Sequence, residues 1–267
     1  MTSSEFACKR VLVPVDFSAR SANALQYAVA LGSAHGAELD VLHVWHSDLS
    51  TPVTVAKERA KSALREFVSG LDLRGDVLVR RRTDHGDPYL TILRLAQVSG
   101  YDLIVVAGPD PGRADTDSAA CDLLGAAPCA VLFVPPHAKP RLRSDQDRAL
   151  KLERLLVPLA LAGEGLEALA CAESLARSDH AAVEVLLTPD VPAAQLARFH
   201  ERPAFERADL QEAAEDSALA VPKRVHASRL DLVVLAGPRA QLGSRPRDQR
   251  ALRMALAQQC PSWCVRG

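Results

Sequence analysis

Residues 10–44 read RVLVPVDFSARSANALQYAVALGSAHGAELDVLHV, and the chain uses this pattern twice. Residues 154–188 read RLLVPLALAGEGLEALACAESLARSDHAAVEVLLT. Pro14 pairs with Pro158, an offset of 158 − 14 = 144, which holds without a gap through Leu25/Leu169, Ala28/Ala172, Leu31/Leu175, Val41/Val185 and Leu42/Leu186. An apolar run, a long Ala/Leu stretch at helical spacing and a second apolar run recur in order. Self-similarity at this length means two copies of one domain rather than a short-repeat solenoid.

Outward from this stretch the first copy alternates strand and helix. Strands are predicted at about 10–15, 39–45, 76–82, 102–107 and 130–134, each a short run bounded by turn residues. Between them fall a helix capped by Ser18 or Ser21 and stopped by Gly36, a charged helix over 53–68, and a helix over 88–99 that opens with Pro88. A loop from Gly108 and a further helix to about Gly125 precede the closing strand. Such alternation predicts a doubly wound parallel sheet with helices on both faces. Ligands of such sheets sit outside the carboxyl ends of the strands, where strand order reverses.

Residues 135–151, PPHAKPRLRSDQDRALK, carry prolines and then dense charge, which reads as a linker. The domains are set at 1–136 and 152–267, with 137–151 between them. The second copy is eroded. DLIVVAGP at 102–109 matches DLVVLAGP at 231–238, an offset of 231 − 102 = 129, so 15 residues have gone between its second and fourth strands. A weak third strand is predicted over 204–211, a helix over 212–228 with Pro222 inside it, a loop and helix over 237–259, and a short closing strand at 263–265.

Composition narrows the function classes. The 267 residues suit two domains with their own cores, and 48% hydrophobic with 24% charged is a globular balance. With 32 basic and 33 acidic residues there is no nucleic-acid footprint. No leader-like h-region opens the chain and no run reaches membrane-spanning length, so the expectation is a soluble, cytoplasmic protein. The six cysteines lack CxxC pairing, and most are expected to be core residues. His43 and His46, three apart, are expected on opposite faces of their strand, which argues against a metal site. The run Arg80-Arg81-Arg82 reads as solvated. No serine–histidine–acid order, P-loop or HExxH motif occurs, so no catalytic residue is assigned.

The strand VLVPVDFS, the LHV of the second strand, the GDP turn, DLIVVAG and APCAVLFVP together resemble the universal stress proteins, and the two copies resemble a tandem form. The resemblance implies two five-stranded parallel α/β domains of the adenine-nucleotide α-hydrolase-like kind, the second degenerate. It also implies pairing of domains through the last strand, here an internal pseudo-dimer with a homodimer as a further option, and a cytoplasmic stress-response role without catalysis. The SGGxDS signature of nucleotide α-hydrolases is absent.

One branch of that family binds ATP through a strand-end Asp and a glycine-rich loop that cradles phosphates. By position, the resemblance offers Pro14, Val15, Asp16, Val44, Gly108, Gly112 and Ser118 as a degenerate nucleotide site. Gly112 is one place late, and Asp117 replaces the glycine before Ser118. In the second copy Ala160 replaces the Asp, and Ala240 and Arg250 replace two glycines. Its loop is basic, so Arg239, Arg245, Arg247 and Arg250 are a candidate anion site. Asp16 reads equally as a ribose ligand or as a strand-end cap of the next helix. The resulting expectation is a non-catalytic stress-response protein acting through an unidentified protein partner or small ligand, with no cofactor. The alternative is an ATP- or AMP-binding sensor using the first domain.

Overall fold

The computed structural model describes residues 8–47, 50–73, 75–108, 123, 125–159, 165–189, 191, 196, 208–236 and 260–265. The chain divides into two compact units. One comprises Ala7–Ala107 and Ala127–Lys151, and the other holds Leu152–Gly267.

In the first unit the elements are β1 (Arg10–Pro14), α1 (Ala19–His35), β2 (Glu38–Trp45), α2 (Val53–Ser69), β3 (Leu78–His85), α3 (Pro88–Ser99), β4 (Leu103–Ala107) and β5 (Ala130–Val134). Every neighbouring pair is parallel, in the order β3-β2-β1-β4-β5. Local chemistry sets the helix ends. The Ser18 hydroxyl accepts from Ser21 N at 3.1 Å and caps α1, while Gly36 closes it at φ 61°, a left-handed conformation that glycine adopts without steric cost. Asp87 caps α3 by accepting from Leu90 N at 2.9 Å, with Pro88 in the first turn. Leu25 and Leu31 of α1, Leu12 of β1 and Ile104 of β4 are buried. Each such side chain contributes about 1.5–3 kcal/mol by leaving water.

The second unit repeats this plan with β6 (Arg154–Pro158), α4 (Leu166–Ala176), β7 (Ala182–Leu187), β8 (Asp209–Glu212), α5 (Ser217–Ala227), β9 (Leu232–Ala236) and β10 (Ser262–Val265). Its strands are also parallel, in the order β8-β7-β6-β9-β10. Both halves are therefore α/β, with five parallel strands each among the described residues.

Three expectations need adjustment. β3 lies at 78–85 rather than 76–82. Its register against β2, from Glu38↔Leu78 to Trp45↔His85, draws the charged run into the ladder. As an edge strand β3 needs no apolar pattern, and Arg80 and Arg82 pair with Glu38 and Asp40 of β2 instead of being merely solvated. The eroded third strand begins at 209, and its helix begins at 217 behind the cap Asp216. The stretch 137–151 packs on the first unit. Leu142 bridges Leu150, Leu150 N donates to Ala30 O at 2.7 Å, Asn23 donates to Pro135 O and Ala138 O, and Ala149 and Leu150 are buried. The helices predicted over 108–125 and 237–259 lie largely outside the described residues.

Candidate functional site

Strand order reverses between β1 and β4, so the carboxyl ends of these strands flank the crevice where α/β sheets place ligands. β1 ends at Pro14, and Val15 N continues its pairing by donating to Leu42 O at 2.8 Å. Asp16 follows, exposed at the edge. Its Oδ1 accepts from Ser18 N at 3.0 Å and Ser18 Oγ at 2.5 Å, and its own amide donates to Ser21 Oγ at 3.4 Å. Burial works against the charged form. The hydrogen bonds from Ser18 and Ser21 outweigh it and hold the Asp16 carboxyl below its ordinary value. Ser18, not Asp16, is the helix cap, and Asp16 orients that serine through one oxygen.

Val44 sits half-buried near the end of β2, and β4 runs directly into buried Gly108. Gly112, Ser118, Ala160, Ala240, Arg239, Arg245, Arg247 and Arg250 lie outside the described residues. The edge described is therefore Pro14, Val15, Asp16, Val44 and Gly108.

The sequence reading did not foresee the aromatic cluster beside this edge. Phe17 takes φ 64°, and its ring stacks on His43 with centroids 4.1 Å apart and an interplanar angle of 29°. His43 Nδ1 is 3.1 Å from Val15 O. Trp45 lies 4.7 Å from the His85 ring, and His85 Nε2 is 3.2 Å from Ser47 Oγ. His43 and His46 share one cavity rather than facing opposite sides, because β2 ends at Trp45 and the pleat stops there. Among the described residues no group of three or more His, Cys, Asp or Glu is placed to hold a metal. The thiols of Cys8 and Cys260 are pushed up to about 12, first by burial, which makes them poor nucleophiles at neutral pH. Cys129, expected in the core, is half-buried.

Residues 7–135 match the model of the universal stress protein family. This half of the chain is a universal stress protein domain. The second half repeats its strand order, so the chain carries the fold in tandem. A universal stress protein from Archaeoglobus fulgidus DSM 4304 is similar in fold over 98% of this chain and 97% of its own, with 14% identity and a TM-score of 0.72. A functionally unknown protein from Pseudomonas aeruginosa PAO1 is similar over 99% of this chain and 95% of its own, with 16% identity and a TM-score of 0.59. No curated protein matches the chain. Among the described residues no helix of the tandem universal stress protein fold is long and apolar enough to cross a membrane.

Proposed function

We propose that this chain is a non-catalytic stress-response protein that acts through a protein partner or a small ligand, with nucleotide sites that have lost their function. The observation that carries this reading is the state of Asp16. The one ionisable group at the described edge already has an oxygen engaged by the amide and hydroxyl of Ser18. A ribose would have to share that carboxylate. The sequence around it lacks the complete glycine cradle, and the four aspartates of the loop after Gly108 (110, 115, 117 and 122) oppose a triphosphate.

The contact between Ser47 and His85 supports the non-catalytic reading. A hydroxyl–imidazole pair needs a third group to orient the base. The nearby carboxylate of Asp84 instead pairs with Arg94 at 2.5 Å and accepts from His85 N.

Titration calorimetry with ATP and magnesium tests the reading, and no micromolar isotherm is expected. A one-site micromolar isotherm that disappears in Asp16→Ala would replace it with the nucleotide-sensor alternative.

A further inference from the structure

A cavity of about 330 Å³ opens beside the carboxyl end of β2, against α2. One wall is aromatic, made by Phe17, His43 and Trp45. The facing wall is α2, which presents Ala56, Ala60 and Ala63 there. Their spacing of four and three places three small side chains on one helical stripe, and longer residues at these positions would fill the space.

The aromatic wall is fixed before any ligand arrives. A left-handed backbone at a residue with a Cβ costs about 1–2 kcal/mol, so Phe17 holds φ 64° only because its surroundings require it. Those surroundings are the stacked His43 ring and the tilted ring of Phe67, 5.3 Å away. His43 is held in turn by Val15 O, and Trp45 is backed by His85. A wall that need not order itself on binding lowers the entropic cost of association.

Among the described residues the lining contains no carboxylate. Arg59 and His46 lie at its rim, and Arg59 makes no ion pair among the described residues. Ser47 and Thr51 complete the described lining, and a planar guanidinium beside a hollow with one aromatic and one alanine wall matches a ligand with a flat ring at one end and an anion at the other. We propose that this cavity binds a small aromatic carboxylate of one or two rings, with the ring against Phe17 and Trp45 and the carboxylate on Arg59. Asp16, Val44 and Gly108 do not line it, so the proposal stands apart from the nucleotide question.

The chain has two tryptophans, so a proton–nitrogen spectrum of the full protein carries two indole signals, and Trp263→Phe assigns that of Trp45. The probes are 1-naphthoate and its neutral analogue 1-naphthalenemethanol. Naphthoate should shift the Trp45 signal saturably. Both the neutral analogue and Arg59→Gln should weaken binding about tenfold, the scale of one charge-assisted contact. Ala56→Phe should abolish the shift, and Arg65→Gln, a charge change on α2 outside the cavity, should leave it intact. Preserved dispersion of the remaining amide signals shows that each variant is folded. The proposal is overturned if naphthoate gives no saturable shift, if the neutral analogue binds equally well, or if Arg59→Gln and Ala56→Phe change nothing. Displacement of naphthoate by ATP with magnesium would also overturn it, since the cavity would then belong to the nucleotide edge.

Discussion

Asp40 and Glu184 occupy the same place in the two halves, the third residue of the second strand, and both are buried; the groups that neutralise them differ. In the first half the Tyr101 hydroxyl donates to Asp40 Oδ2, and Arg82 stands 3.3 Å from the same oxygen and 2.9 Å from the Tyr101 hydroxyl. Arg10 takes no part. Its guanidinium lies 5.1 Å from the Tyr101 ring centroid and donates to Ser99 O. In the second half the place of Tyr101 is taken by Leu230, which has no hydroxyl. Arg154, the counterpart of Arg10, lies instead 2.8 Å from Glu184 Oε1, and Arg224 donates to Oε2 at 2.9 and 2.6 Å. Arg224 stands where α3 carries Leu95.

Both halves thus bury a carboxylate at this place and hold it with different partners. Leu230 and Gln211 stand where the first half has Tyr101 and Arg82, and the positive charge on Glu184 comes instead from Arg154 of β6 and Arg224 of α5, which spares the cost of an uncompensated buried carboxylate. The backbone clamp next to it did not change. Asp102 accepts from Lys9 N and Arg10 N, and Asp231 accepts from Glu153 N and Arg154 N in the same way.

The largest test of this comparison is Arg224→Leu. Among the described residues it leaves Glu184 with the part-exposed Arg154 alone, and it should destabilise the second half by about 3 kcal/mol. Amide exchange of β6 and β7 under graded urea measures it. The double change Glu184→Leu/Arg224→Leu should recover most of the loss, and a cost below about 1 kcal/mol for the single change would break the comparison.

Tyr101→Phe should cost the first half about 2 kcal/mol, less than Arg224→Leu because Arg82 remains. Burial, followed by the Asp40 hydrogen bond and charge, pushes the Tyr101 hydroxyl up to about 12. A raised value stabilises the fold while the hydroxyl is protonated. That contribution is complete below the unfolded value near 10 and is lost as pH rises through about 12. Tyrosinate absorbance should show one step near pH 12 that Tyr101→Phe removes.

Smaller still is the pair Ser18→Ala and Asp216→Ala. Each removes the cap of a helix in one half and should cost about 1 kcal/mol, measured as loss of helical circular dichroism against temperature. Ser18→Ala should also move the Asp16 carboxyl back up toward its ordinary value, which a carboxyl-carbon titration detects. The smallest signal is local opening. β8 pairs over four residues and β3 over eight, so amides in 208–228 should exchange faster than those in 53–69 and 75–99. Equal protection would mean that erosion has not weakened the second half.

How much of this was legible follows from where each signal lies in the chain. The ungapped 144-residue offset and the apolar runs at 10–14, 39–42 and 103–107 are local patterns, and they carried the tandem fold and its parallel sheets. Asp16, Val44 and Gly108 were legible as an edge because strand ends follow from the same runs. The extent of β3 was not, since an edge strand of arginines held by Glu38 and Asp40 has the composition of a loop. Nor were the partners of Asp40, which come from 82 and 101, or those of Glu184, which come from 154 and 224. Pairings set by register and helix packing leave no local trace. The left-handed turn at Phe17 was equally hidden, because its occupant is not a glycine.

The strap formed by residues 137–151 bears on the order in which the protein is made. Leu150 closes onto the Ala30 carbonyl, and Asn23 holds Pro135 and Ala138. The first half is therefore not finished when its last strand ends at Val134. Another 151 − 134 = 17 residues must emerge from the ribosome before the outer side of α1 is covered. At about 5–20 residues per second that interval is about 1–3 s, and it is the time during which a nascent first half displays its unfinished helix to whatever surrounds the translating chain.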